Sequence, residues 1–272
     1  MPDRAVPGRA VAPSGRIATR PDHRTCDGSE GGSPVLAWPP FGSGTHRLAD
    51  VTAPRIISVN VGLPRTVTWA GRSVTSGIWK GPVEGRVVVE GVNLHGDDQA
   101  DRRVHGGPDK AVYAYATEDY TWWAGVLGHD LSAGTFGENL TTEGIDLAAC
   151  VIGQAWYVGT TVLEVAQPRE PCFKLGMRMG DAGFVELFES SGRPGAYLRI
   201  REAGDIGASD VITIGDAPIH GLTVGDLAAV RTTTPSQMLE RIASNDDVPD
   251  GWRTMARRRL ARQHRGSDHG SA

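Results

Sequence analysis

The chain has 272 residues, 39% of them hydrophobic and 22% charged, with a formal net charge of −4. That length suits one large domain, or a medium one with a small appendage, around a real core. The weak negative charge offers no global field for nucleic acid or membrane, and no apolar run approaches the ~18 residues that cross a bilayer. Met1 to Ala10 lacks the basic-then-apolar order of a secretory leader, so a cytoplasmic protein is expected. The three cysteines are Cys26, Cys150 and Cys172. An odd count without a leader argues for reduced thiols. No CxxC pair, HExxH helix, GxxxxGK[ST] loop or GxGxxG turn occurs, which removes the common zinc and nucleotide sites.

Residues 1–52 are rich in Pro, Gly, Ser and Arg, show no hydrophobic period, and read as a disordered extension; Cys26 within it carries no signal. Order is expected from Arg55. Strands are predicted at Ile56 to Val61, Thr66 to Trp69, Arg86 to Glu90, Ala111 to Ala116, Gln154 to Val158, Thr161 to Ala166, Ala196 to Arg201 and Val211 to Ile214. Gly159-Thr160 reads as a hairpin turn. Helical segments are expected at Glu118 to Leu127 and Ala182 to Ser190. Many short strands, frequent Gly turns and few helices predict a mainly β, barrel-like domain over 53–215 with helical insertions.

The pattern changes after Asp216. Three helices are expected over 216–265, followed by a tail at 266–272. The first runs from Thr223 to Val230 with Thr223 as N-cap and Asp226 at its positive end. The second opens with Pro235 at the first helical position. The third runs from about Asp250 to Arg262 with Trp252, Met255 and Leu260 inward. A bundle this small must dock to be stable. Its Arg257-Arg258-Arg259 run is either a solvated basic face or a contact for an acidic redox partner.

Three stretches carry chemistry. In Arg102-Arg103-Val104-His105-Gly106-Gly107-Pro108-Asp109-Lys110, paired glycines admit close backbone approach and four cationic or polar donors suit an anion; a plain Gly turn into a strand is the alternative. In Gly134-Thr135-Phe136-Gly137-Glu138-Asn139-Leu140, Gly137 suggests a bulge or close approach at a strand start. Asn139 there could read a heterocycle edge, or the stretch could be a capped loop with Glu138 solvated. In Arg169-Glu170-Pro171-Cys172-Phe173-Lys174-Leu175, a thiol at a helix start between Arg169 and Lys174 is placed to ionise. It could serve as nucleophile, sulfur carrier or soft-metal ligand, or pack as an inert core group. Cys150, among Ala148, Ala149, Val151 and Ile152, reads as core. His95, Asp97 and Asp98 read as a solvated turn around Gly96 rather than a metal site, and at least one of Trp122 and Trp123 is expected in the core.

Taken in order, these three stretches resemble the MOSC family, the domain found at the C-terminus of molybdenum cofactor sulfurases, across about residues 55–215. Gly221 to Gln263 resembles the three-helix appendage of the YiiM-type members. The resemblance implies a β-barrel that binds a molybdopterin-type molybdenum cofactor, with Cys172 as metal ligand or persulfide carrier. It further implies that Arg103, His105, Lys110, Asn139 and Arg169 hold the pterin and its phosphate. A molybdenum-dependent reductase of N-hydroxylated bases or amines is then expected, with a sulfur carrier as the alternative. The chain shows no flavin, haem or iron–sulfur motif, so a reductase would draw electrons from an external flavoprotein or iron–sulfur partner.

Overall fold

The computed structural model describes residues 53–101, 106–231 and 234–268. The expected extension over 1–52, with Cys26, lies outside them. The first strand, β1 (Arg55–Val61), shows how sequence pattern becomes geometry. Ile56 and Val59 both point into the core although they are three residues apart, because the pairing register shifts between Ile56 and Ser58 and leaves Ile57 exposed. Beyond it lie β2 (Arg65–Trp69) and β3 (Arg72–Ser76), a hairpin of its own, and the short β4 (Gly81–Pro82). Next come β5 (Arg86–Glu90) and β6 (Asn93–Leu94). With β12 (Gly204–Gly207) they form a three-stranded sheet in the order β12-β5-β6.

The main sheet adds β7 (Val112–Ala116), β8 (Leu140–Glu143), β9 (Ala155–Val158), β10 (Thr161–Pro168), β11 (Ala196–Glu202) and β13 (Ile212–Ile214). Its order is β13-β9-β10-β11-β7-β8-β1-β4, antiparallel throughout except for the β7–β8 pair. The two-residue Gly159-Thr160 turn joins β9 to β10 with Val158 opposite Thr161, as its composition predicted. The sheet curls until its ends meet. Ile56 N donates to Asp210 O at 2.9 Å, Ser209 N to Ile56 O at 2.8 Å and Ile212 N to Pro54 O at 2.7 Å. These bonds satisfy backbone groups that an open edge would leave unpaired.

β7 has both faces buried. Val112, Ala114 and Ala116 face the barrel interior, while Tyr113 and Tyr115 face a second, aromatic core. Small residues inside and large ones outside follow from the period of two along a strand. The aromatic core is covered by α1 (Thr117–Leu127) and by two short helices, α2 (Phe173–Met179) and α3 (Phe184–Ser190). Trp123 and Phe188 stack at 6.0 Å, and Tyr115 lies 4.3 Å from Phe136. Trp123 Nε1 donates to Tyr115 Oη at 2.7 Å, so the buried indole nitrogen has a partner. Trp123 is the buried member of its pair and Trp122 is partly exposed.

The last three helices are α4 (Val224–Ala229), α5 (Ser236–Ser244) and α6 (Asp250–Asp268). Thr223 caps α4 in a reciprocal box with Asp226. Pro235 stands at the N-cap of α5, one residue earlier than expected, where its missing N–H costs nothing. α6 continues to Asp268, past the expected end near Arg262 and into the expected tail. Leu227, Leu239, Ile242, Trp252 and Ala256 belong to the same buried cluster as the barrel interior. Trp252 also donates from Nε1 to Gln167 Oε1 of β10 at 2.6 Å. No helix of the described residues is long and apolar enough to cross a membrane.

Because the helices share the barrel's core through Trp252, Trp252→Ala should lower the unfolding free energy by about 3–5 kcal/mol. Trp252→Phe, which keeps most of the buried ring but drops the bond to Gln167, should cost less than half as much in urea titrations. Unchanged midpoints for both would mean that the helices do not depend on this contact.

Candidate functional site

Parallel pairing of β7 and β8 brings the segments that precede them to one side of the barrel. Lys110 ends a 3₁₀ turn (Pro108–Lys110) just before β7, and Asn139 immediately precedes β8. Gly107 opens that turn with φ +99, a backbone conformation that side chains resist, and an added Cβ there would meet nothing within 4 Å. Gly137 has φ +74, and a Cβ on it would lie 2.8 Å from Ile78 Cγ1. The close approach read from Gly137 is therefore real, and its neighbour is the loop carrying Ile78 to Lys80.

The third segment leaves β10 at Pro168. Arg169 turns inward, donating to Phe136 O and placing its guanidinium 5.0 Å from the Tyr113 ring centroid. Cys172 is the N-cap of α2 in extended conformation, half-buried, with its carbonyl accepting from Leu175 N at 2.8 Å. Lys110, Asn139, Arg169, Cys172 and Lys174 line one cleft of about 580 Å³, counting the part open to solvent. The structure thus gathers four of the six anticipated residues, and Lys174 with them. Arg103 and His105, with Arg102, lie outside the described residues. Cys150 is core: burial, with the nearby Asp146 charge, pushes its thiol up to about 12.

Two readings of the sequence are corrected by the structure. Asp97 is not in a solvated turn. It is buried, its Oδ1 accepts from Gly62 N at 3.0 Å, and its Oδ2 takes Asn139 Nδ2 at 2.9 Å and an ion pair from Lys80 Nζ. His95 beside it is exposed and bonded to Glu90, as a surface turn requires. Glu138 is likewise not solvated but fully buried. Its Oε1 accepts from Tyr120 Oη and Gly134 N, each at 2.6 Å, and from Thr141 Oγ1 at 2.9 Å. A run of polar residues looked like surface because the chain beneath them had not yet been folded over them.

Lys80, which lines the cleft, escaped the sequence reading altogether. The same logic that flagged Gly106 to Lys110 applies to Gly77-Ile78-Trp79-Lys80-Gly81, where glycines flank a lone lysine. Burial pushes the Lys80 ammonium below the ordinary lysine value, against the pull of Asp97. Asn139 has little left for a ligand. Its Nδ2 donates to Asp97 and to Asn60 O at 3.3 Å, and its Oδ1 accepts from Tyr113 N at 3.1 Å. Burial opposes the Arg169 charge, yet Tyr113, Tyr197 and Cys172 together hold it above the ordinary arginine value. Burial raises Tyr197, Arg169 draws it down and Cys172 pushes it up again, so thiol, guanidinium and phenol form one electrostatic unit. Lys80, Lys110, Arg169 and Lys174 line the cleft against two carboxylates, Asp98 and Asp101, with a sulfur in its wall. Among the described residues no three His, Cys, Asp or Glu side chains converge as a metal site.

Comparison with known proteins was consistent with this geometry. The MOSC domain pattern matches residues 101–213. The uncharacterized protein YflK of Bacillus subtilis is 33% identical over 200 residues, covering 73% of this chain and 90% of YflK. The crystal structure of YiiM from Geobacillus stearothermophilus superposes with a TM-score of 0.63 and 28% identity, covering 76% of this chain and 99% of that one. A protein named reductase from Gibberella moniliformis is 32% identical over 152 residues, 54% of this chain but only 27% of that longer protein.

Two outcomes follow from the buried charges. Removing one partner of a buried pair leaves the other uncompensated, so Asp97→Asn should destabilise by about 3–5 kcal/mol, and Lys80→Met should recover part of that loss in the double variant. Strict additivity of the two single effects would disprove the pairing. For Glu138, burial holds the carboxyl above its ordinary value of 4.5, against the hydrogen bonds it accepts. Its neutral form therefore supports the fold below pH 4.5, and that support is lost as pH rises through the folded-state value. Glu138→Gln stays neutral, so its urea midpoint relative to wild type should climb from pH 4.5 upward; a pH-independent difference would contradict the assignment.

Proposed function

Because the chain belongs to the MOSC family, in its YiiM-like branch, we propose that the cleft binds a molybdenum–pterin cofactor through Cys172 and reduces N-hydroxylated bases or amines. One arrangement supports this above all: a half-buried thiol in the wall of a cleft where four cationic side chains outnumber two carboxylates, Asp98 and Asp101. The donor set fits such a group. A thiol is a soft ligand suited to a soft metal centre. Lys110, Lys174 and Arg169 bring positive charge to a phosphate-bearing pterin.

When bound, the metal centre supplies oxygen-atom removal, in which R–NHOH, two electrons and two protons give R–NH2 and water. The chain's own residues bind, orient and deliver protons. Cys172 would hold the metal from a position fixed by the first turn of α2. Arg169 is held by Phe136 O and by the Tyr113 ring, so its charge stays beside the thiol. Asn139 acts as a positioning residue, because its amide joins Asp97 to the backbone of β7. Lys80 Nζ, with burial easing loss of its proton, is the proton source within the cleft. Electrons come from a separate flavoprotein or iron–sulfur reductase. The reductase name carried by the fungal relative favours this redox reading over a persulfide carrier.

Protein purified from cofactor-competent cells should carry molybdenum and pterin and should reduce 6-hydroxylaminopurine with a strong chemical reductant. Loss of a supporting residue costs metal sites about 10–100-fold, so Cys172→Ser, which removes the ligand itself, should cost at least that much in activity and in retained metal. Metal-free wild type, or loaded wild type inert with the reductant, overturns the proposal. A labile extra sulfur on Cys172 by mass spectrometry, after incubation with a desulfurase, would then mark a sulfur carrier.

A further inference from the structure

The function proposed above needs an electron donor, and the charge distribution of the last helix indicates where one docks. α6 is 19 residues long, about 28 Å, and carries six arginines against two aspartates in a chain whose net charge is −4. Three of the six are engaged. Arg253 pairs with Asp246 and Asp250, Arg257 Nη2 donates to Ala243 O at 2.8 Å, and Arg259 donates to Val230 O. The other three, Arg258, Arg262 and Arg265, are exposed and have no carboxylate partner among the described residues. Their spacing of four and three residues places them along one helix face. Complementing the helix dipole accounts for Arg265 in the last turn, but not for Arg258 or Arg262.

This face is tied to the cleft. At the start of α6, Trp252 donates to Gln167, and Gln167 Nε2 donates to Asp109 O at 3.0 Å, next to Lys110. Among the described residues, one surface depression runs from Lys110 past Glu170 and Trp252 to Met255. A second continues from Met255 to Arg231, Arg259 and Arg262. Arg231 bonds Glu170 at 2.7 Å, two residues before Cys172. A groove therefore leads from the thiol's own segment to the arginine cluster, and it becomes more cationic along its length.

We propose that the α6 face of Arg258, Arg262 and Arg265, with the adjoining groove, is the docking surface for an acidic electron-transfer protein. This rests on the reductase reading of the cleft. Complementary charge would steer the acidic donor to this face and orient it toward the segment bearing Cys172. The donor gives up two electrons per substrate, and the two protons and the departing water balance as written above.

The test uses the cofactor-loaded protein with two donors, a reduced acidic flavodoxin and dithionite-reduced methyl viologen. The triple variant Arg258→Glu, Arg262→Glu, Arg265→Glu should lose about tenfold or more of the flavodoxin-driven rate at low salt. Its dye-driven rate should stay within about twofold of wild type, since none of the three residues lines the cleft. The wild-type flavodoxin-driven rate should fall as salt rises, while the variant's barely responds. Direct binding of oxidised flavodoxin by surface plasmon resonance reads the surface independently of turnover. A dye-driven rate of zero in wild type defeats the reductase reading, whatever the binding result. Equal flavodoxin binding by wild type and variant, or none by either at low salt, overturns the docking surface even if the dye-driven reaction runs. So would tight retention of duplex DNA by this face at moderate salt, which would mark it as a nucleic-acid surface.

Discussion

Asp97 joins three stretches of chain that are distant in sequence. Its carboxylate accepts from the Gly62 amide, from Asn139 and from Lys80, each donor arriving from a different loop. Inside a protein such a carboxylate is tolerated only when its lone pairs are filled, and filled this way it becomes a rigid junction. Through Asn139 the junction reaches the backbone of Tyr113 in β7, and Tyr113 carries Arg169 on its ring. The cleft wall therefore does not rest on loose loops. It is a chain of satisfied polar contacts running from the end of β1 to the edge of the thiol.

That chain works because β7 is buried on both sides. Alanines and a valine let the barrel interior close, while the tyrosines between them feed the aromatic core beneath α1, α2 and α3. The second core holds α2 against the barrel, and α2 presents Cys172 at its first turn. A thiol on an unsupported loop could sample many positions; here its direction is set by Leu175 and Met177 buried just behind it. Packing on one side of β7 thus fixes the thiol that follows β10, two strands away in the sheet.

Charge is distributed unevenly over this scaffold. The chain is weakly negative overall, yet the cleft gathers Lys80, Lys110, Arg169 and Lys174, and α6 holds a second concentration of positive charge. The first concentration is partly or wholly buried and so acts at close range with little screening; the second faces water and acts over roughly a Debye length. The two suit the different tasks proposed for them: gripping a small anionic group, and guiding a large anionic partner.

Local pattern alone determined a good deal. Alternating and β-branched runs placed eight strands, the Gly159-Thr160 turn closed its hairpin, Thr223 and Asp226 capped their helix, and three ordered motifs carried the family resemblance that singled out Cys172, Lys110, Asn139 and Arg169 as candidates. Each of these depends on neighbours within a few residues, or on a motif that can be read in one dimension. Tertiary structure decided what burial decides. Asp97 and Glu138 sit in polar runs that read as surface, and only the overlying chain shows that they are enclosed and bonded. Lys80 came to line the cleft because β4 pairs with β1 and brings its loop against Gly134 and Gly137. Asn139 changed from a ligand-reading amide to a structural joint because Asp97 and the Asn60 carbonyl occupy its donors and Tyr113 N its acceptor. Desolvation and long-range hydrogen bonds belong to pairs of distant residues, so no window of sequence contains them.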